Sequence, residues 1–140
     1  MPNEHQEQVA VVQWAALAVC TWPELDALYA IPNGGNRDGR VGKHMKDEGA
    51  RAGVPDLHLP VARGGHHSLY VEMKRRDGGR TSAEQREWAE RLSRYGNLVV
   101  TCNGADEAIQ TIERYLAGLA QLPAAVQPYE LRETRRGRRR

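Results

Sequence analysis

Between residues 4 and 20 the chain is rich in Ala and Val and holds no Gly or Pro, while Val11, Trp14, Leu17 and Ala18 recur at helical spacing. This pattern predicts a helix over 4–20, capped at Asn3 or by the terminus, with those four residues as its buried stripe. Glu7 lies one turn before Val11 and continues the stripe; Glu4 lies one turn earlier still. Pro23 ends the helix, and the apolar run from Leu25 to Ile31 predicts a short strand. In Pro32-Asn33-Gly34-Gly35-Asn36 the paired glycines predict a loop with unusual backbone angles or close approach of an anion. From Arg37 to Ala52 basic and small residues alternate, with Val41 and Met45 as the large apolar groups, which predicts a partly helical, exposed segment.

Downstream the period shortens to two. Gly53-Val54-Pro55 predicts a turn into a strand over 56–61 with Asp56 at its start, and the glycine-rich stretch 62–67 predicts a hairpin into a second strand over 68–74. On that strand Glu72 and Lys74 leave the same face, with Cα atoms about 6–7 Å apart, whereas Val71 and Met73 leave the other. Thr81-Ser82-Ala83-Glu84-Gln85 has the form of a capping box opening a helix to about Tyr95, with Trp88, Leu92 and Tyr95 on one face. After Gly96, the nearly continuous apolar run 97–102 predicts a strand central in a sheet covered on both faces. Asn103-Gly104 then leads into an amphipathic helix from Ala105 to about Leu119, with Ile109, Ile112 and Leu116 inward. The order predicts an α/β fold, a small mixed β-sheet flanked by helices, as one domain over 1–122, with a flexible basic tail over 123–140.

The net charge of +2 hides a strong segregation. Residues 132–140 carry +5 and residues 37–80 carry +4, against −4 for residues 1–36 and −3 for residues 81–131. The positive charge of the body therefore surrounds the strand carrying Glu72 and Lys74, a distribution that suits a polyanionic partner. Asn33, Gly34, Arg37, Arg40, Lys43, Lys46, Arg75 and Arg76 are the residues expected to meet a nucleic-acid backbone. Cys20 and Cys102 form no zinc or redox pattern and are expected to be buried free thiols. The polar start and the lack of a long apolar run give the expectation of a cytoplasmic protein, in a bacterium or a phage-infected host cell, with no membrane partner.

Two carboxylates and a lysine are what a hard divalent ion and an attacking water require. Asp56 and Glu72 are therefore candidate ligands for Mg²⁺ or Mn²⁺, joined by the main-chain carbonyl of Met73, and Lys74 is the candidate group for positioning water or offsetting charge in the transition state. Gln85, one helical turn before Trp88, is a capping residue or a group that hydrogen-bonds the attacking water or a phosphate beside Lys74. Walker-type and His-Glu-x-x-His patterns are absent from the sequence.

The set formed by an acid-bearing first helix, Gly53-Val54-Pro55-Asp56, Glu72-Met73-Lys74 and Thr81-Ser82-Ala83-Glu84-Gln85 resembles the PD-(D/E)xK nuclease superfamily, with its restriction-endonuclease-like core. More narrowly, over residues 4–117, it resembles stand-alone members of the VRR-NUC domain family, including phage-encoded ones. The resemblance implies a metal-dependent DNA endonuclease with Asp56 and Glu72 as metal ligands, Lys74 as the catalytic lysine, Gln85 in support and a first-helix glutamate assisting the metal. Glu7 is favoured for that glutamate because it continues the buried stripe, with Glu4 as the alternative in a different helix phase. The resemblance also implies a structure-specific enzyme acting on branched DNA, such as a Holliday junction or a flap, and symmetric junction cutting implies a homodimer. The alternatives are a non-catalytic DNA-binding or assembly protein on the same fold, and a restriction-type endonuclease.

Overall fold

A computed structural model describes residues 1–32, 39–119, 121–123 and 126–130, with backbone alone for 39–41. The elements in chain order are helix α1 (Glu4–Ala18), a 3-10 turn (Pro23–Ala27), strand β1 (Tyr29–Ala30), helix α2 (Gly39–Asp47), strands β2 (Leu57–Leu59) and β3 (Leu69–Lys74), helix α3 (Ala83–Arg94), strand β4 (Leu98–Asn103) and helix α4 (Ala105–Leu116). The strands form one four-stranded sheet in the order β1-β2-β3-β4. β1 and β2 run antiparallel, as do β2 and β3, whereas β3 and β4 are parallel and need the crossover that α3 provides. The expected small mixed sheet flanked by helices is what the chain forms.

Alternation on the strands separates two faces. Leu57, Leu59, Leu69, Val71, Met73, Val100 and Cys102 are buried together with Val11 and Ala15 of α1 and Ala108, Ile112 and Leu116 of α4, and this is the core. The opposite face carries Glu72, which is paired with Thr101, and Lys74, which is paired with Asn103. α3 lies against β4 and contributes no fully buried residue.

Several expectations change in the folded chain. Leu17 is 80% exposed and Ala15 takes its place in the stripe; at about 3.6 residues per turn, Leu17 stands about 240° round the helix from Val11. The run 25–31 opens as a 3-10 turn, because Pro23 occupies its first position with Glu24 and Asp26 in its first turn, and only Tyr29–Ala30 remains strand. Tyr95, at the C-cap of α3, is exposed, and Trp88 lies half-buried between the guanidinium groups of Arg51 and Arg91, 4.7 and 4.6 Å from its ring centre. Cys20 is exposed, and Cys102 is buried as expected.

β4 is not central in the sheet: it is an edge strand. Its apolar character is matched by a segment from the far end of the chain, where Val126 is buried in the core, Pro128 bridges Val100, and the Tyr129 amide donates to the Val99 carbonyl at 2.9 Å. Packed contacts thus continue to Tyr129, past the boundary expected at 122, and the edge that β4 would present is partly paired. Residues 131–140, the Arg-rich part of the expected tail, lie outside the described residues, as do Asn33, Gly34 and Arg37. Among the described residues no helix is long and apolar enough to cross a membrane.

Candidate metal centre

Asp56 precedes β2 at the end of the Gly53-Val54-Pro55 turn. Gly53 has φ +91°, and a Cβ there would stand 2.5 Å from the Glu84 carbonyl carbon, so only glycine lets this turn press against the first turn of α3. That contact brings Asp56 and the start of α3 to the same end of the sheet. The Asp56 carboxylate is aimed by the Met73 amide, which donates to Oδ2 at 2.7 Å. Met73 thus contributes its amide here, while its carbonyl follows on β3 between Glu72 and Lys74.

Glu72 and Lys74 share the outer face of β3, and both are buried there. Lys74 Nζ lies 3.6 Å from Glu72 Oε1 and donates to the Arg80 carbonyl at 2.9 Å and to Gln85 Oε1 at 3.1 Å. The Gln85 amide also donates to Glu72 Oε1 at 2.9 Å, while its oxygen accepts from the Ser82 amide at 3.0 Å and Ser82 Oγ accepts from the Gln85 amide N–H at 3.1 Å. The capping role expected for Gln85 is met, and the capping box holds its side chain in the orientation that bridges lysine and glutamate.

The first-helix acid that joins this group is Glu4. Oxygens of Glu4, Asp56 and Glu72 lie within 4.8 Å of one another. Glu7, favoured from the sequence, lies one turn away from this group: Arg76 Nε donates to its Oε1 at 2.8 Å and the Ala105 amide donates to its Oε2 at 2.5 Å. The helical phase that buries Glu7 turns it toward Arg76 and α4, and leaves Glu4, at the first position of α1, facing Asp56 and Glu72.

Electrostatics single out this cluster. Burial, followed by the charge of Asp56, pushes the Glu72 carboxyl up to about 9, with Lys74 acting in the opposite direction. Burial also raises Asp56, against the Met73 hydrogen bond, and raises Glu4, against the pull of Lys74. Glu72 Oε2 is buried and has no hydrogen-bond partner among the described residues. Three carboxylates that repel one another around a buried unpartnered oxygen fit a hard divalent cation, which would remove both the repulsion and the orphaned acceptor.

Of the expected nucleic-acid contacts, Lys43 and Lys46 are exposed on α2, and Arg75 is exposed with Asp77 at 3.5 Å. Arg76 is half-exposed and shares its Nε with Glu7. The Arg40 side chain lies outside the described atoms. Sequence reasoning missed the Arg80 carbonyl that fixes Lys74; its only signal was the Gly78-Gly79 loop, where a Cβ on Gly79 would stand 3.2 Å from Lys74 Cδ. It also missed a chain of hydrogen bonds on the same face of the sheet, where His58 pairs with Tyr70. Asn97 Nδ2 donates to the Leu92 carbonyl, so its oxygen accepts from Ser68; Ser68 Oγ then accepts from His58 Nε2–H, and His58 Nδ1 accepts from the Tyr29 hydroxyl. Burial lowers the His58 pKa, in keeping with this neutral tautomer.

A cleft of about 600 Å³ opens beside Glu72 and Gln85, bounded by Pro55, Thr101 and residues 127–130. A larger cavity of about 1170 Å³ lies under Arg63 and Arg114 and holds none of the carboxylates. Of the two, the smaller cleft is the one that touches the carboxylate cluster, through Glu72.

Residues 3–106 match the model of the VRR-NUC domain. A solved structure described as a VRR_NUC domain protein superposes with a TM-score of 0.67 at 25% identity, over 87% of this chain and 98% of that one. Among curated proteins none matches the sequence. The match spans the first-helix acids, Asp56, Glu72-Met73-Lys74 and Gln85 alike, and the chain belongs to the VRR-NUC domain family, a nuclease-type family with this α/β fold.

Proposed function

We propose that this chain is a deoxyribonuclease dependent on Mg²⁺ or Mn²⁺, which hydrolyses phosphodiester bonds in branched DNA and works as a homodimer. The observation that carries this reading is the convergence of Glu4, Asp56 and Glu72 within 4.8 Å beside the buried Lys74, with Glu72 Oε2 unpartnered among the described residues. Those three carboxylates, with the Met73 carbonyl, would hold the ion. When bound, it supplies Lewis-acid polarisation of a phosphoryl oxygen and a more acidic water.

The chain's own residues do the rest. The Met73 amide aims Asp56, and Gln85 holds Glu72 and Lys74 at a fixed separation through one side-chain amide. Lys74 stands beside the carboxylates as a cation that orients the attacking water or offsets charge developing on the phosphate. Lys43, Lys46 and Arg75 lie exposed where the backbone of a nucleic acid can be met, and the Arg-rich sequence of 132–140 adds to the attraction. Symmetric cutting of a four-way junction needs two sites related by a two-fold axis, which one copy of this domain does not supply.

The test is incubation of the full chain with labelled duplex, single-stranded, flap and four-way DNA in Mg²⁺, Mn²⁺ or EDTA. Metal-dependent cutting is expected, strongest on branched DNA. Asp56→Ala and Lys74→Ala should lower it by roughly 10²–10³-fold or more with binding retained. A wild-type chain that binds these substrates and cuts none of them sinks the enzymatic reading and leaves a DNA-binding or assembly role. Light scattering should give about twice the 15.7 kDa chain mass, and a monomer at micromolar concentration argues against junction resolution.

A further inference from the structure

Glu7 is 1% exposed, and both of its oxygens are taken. One accepts from Arg76, two residues beyond Lys74, and the other accepts from the amide of Ala105, the first residue of α4. The circle closes where the Gly104 amide donates to the Lys74 carbonyl at 2.9 Å. Gly104 has φ +91°, and a Cβ there would stand 2.7 Å from Arg76 Cγ and 3.4 Å from Glu7 Oε2. A side chain at 104 would push the arginine off the glutamate. One carboxylate on α1, a helical turn from Glu4, is thus tied to the residue two beyond β3 and to the start of α4.

Such a tie matters because of what the rest of α1 lacks. Its other buried residues are Val11 and Ala15, with Trp14 and Ala18 half-buried against the core, and such apolar contacts are less directional than a hydrogen-bonded charge. A helix rises about 1.5 Å per residue, whereas oxygen-to-metal distances are held to about 0.2 Å. Glu4 can serve the site only if the axial position of α1 is set, and the hydrogen-bonded charge of Glu7, one turn on, is the contact able to set it.

We propose that Glu7 is a positioning residue: its bonds to Arg76 and to the Ala105 amide fix α1 along its axis and so hold the Glu4 carboxylate against Asp56 and Glu72. The affinity of the chain for a divalent cation then depends on a buried acid that does not touch the cation. This inference rests on the reading of Glu4, Asp56 and Glu72 as a cation site.

The experiment is a Mn²⁺ titration of the full chain without DNA, following free Mn²⁺ by its paramagnetic resonance signal. Glu7→Gln and Arg76→Ala should each weaken binding roughly 10- to 100-fold, the range for residues that orient a metal ligand. Arg76→Lys should recover part of the loss. In a Glu4→Gln background Glu7→Gln should cost nothing further, since Glu7 acts only through Glu4; a further loss of the same size overturns the proposal. Tyr115→Phe, which removes a hydroxyl bonded to the Val61 carbonyl far from the site, controls for general loosening and should leave Mn²⁺ binding unchanged. An equal fall in that control overturns the positioning role. If Glu7→Gln gives no cooperative melting, Arg76→Ala decides, because the Arg76 side chain is 56% exposed and Glu7 keeps its bond to α4. A wild-type chain with no Asp56-dependent Mn²⁺ site defeats the metal reading itself. Wild-type binding left unchanged by Glu7→Gln and Arg76→Ala defeats the positioning role alone.

Discussion

The two faces of the sheet are built from the same strands and do opposite work. On one, Leu57, Leu59, Leu69, Val71 and Met73 are all but inaccessible and pack on α1 and α4, so the face is dry and satisfied by apolar contact alone. On the other, Glu72 and Lys74 are also buried, yet α3 above them contributes no fully buried residue and meets them through the amide of Gln85. Burying a charge costs several kcal/mol unless it is paired and hydrogen-bonded. The outer face meets that condition for Lys74 and for one oxygen of Glu72, and fails it for the other. Stability is therefore drawn from one side of β3, and a buried acceptor without a partner among the described residues is held on the other.

The comparison breaks most sharply if the two faces exchange effects. Lys74→Ala should lower cutting by roughly 10²–10³-fold in a chain that still melts cooperatively. Leu69→Ala, on the same strand with its side chain on the other face, should cost about 2–5 kcal/mol of stability. Its Mn²⁺ affinity, measured well below the melting temperature, should stay within about threefold of wild type. Paired melting curves and Mn²⁺ titrations decide; a Leu69→Ala chain that is stable but metal-blind would mean that the faces are not separable.

How much of this was readable in the sequence divides along similar lines. The capping box of Ser82 and Gln85 and the shared face of Glu72 and Lys74 are local patterns, with partners two or three residues apart, and the folded chain forms both. The choice between Glu4 and Glu7 was not local. The helical period favoured Glu7, and what takes Glu7 away from the cluster is Arg76 and the Ala105 amide, 69 and 98 residues further on. The edge position of β4 was hidden for the same reason. Its apolar run reads as a strand covered on both sides, and the cover on its free edge comes from Pro128 and Tyr129, within the stretch expected to be a flexible tail.

A smaller effect should appear with pH and sharpens the account of the polar face. The ordinary value of the Glu72 carboxyl is 4.5, and in the folded chain burial and Asp56 push it up to about 9. With the folded value above the unfolded one, the metal-free folded state keeps a proton that the unfolded state releases. The stabilisation is complete below about pH 4.5 and is lost as pH rises toward about 9. In EDTA the melting temperature of wild type should therefore fall across that window more than that of Glu72→Gln, which keeps a neutral group of the same shape. Mn²⁺ should flatten the wild-type curve and leave the variant's unaltered. Parallel curves for the two proteins in EDTA would take charge burial out of the difference between the faces.

The smallest effect expected lies at the one point where the two faces meet, the first turn of α1. The helix packs on the apolar face, but Glu4 at its start reaches the polar one. Asn3 holds that turn through a reciprocal box: its side chain accepts from the Gln6 amide at 2.8 Å, and the Gln6 side chain accepts from its amide at 2.9 Å. Asn3→Ala should cost about 1 kcal/mol of stability, the usual loss for such a cap. Because fraying moves Glu4 and leaves Glu7 and its partners in place, Mn²⁺ affinity should fall by about threefold to tenfold, less than in Glu7→Gln. Asn3→Asp, which keeps the cap, should restore both quantities. If Asn3→Ala lowers the melting temperature while Mn²⁺ affinity holds, then Glu4 does not complete the site, and Asp56 and Glu72 bind the ion from within the polar face alone.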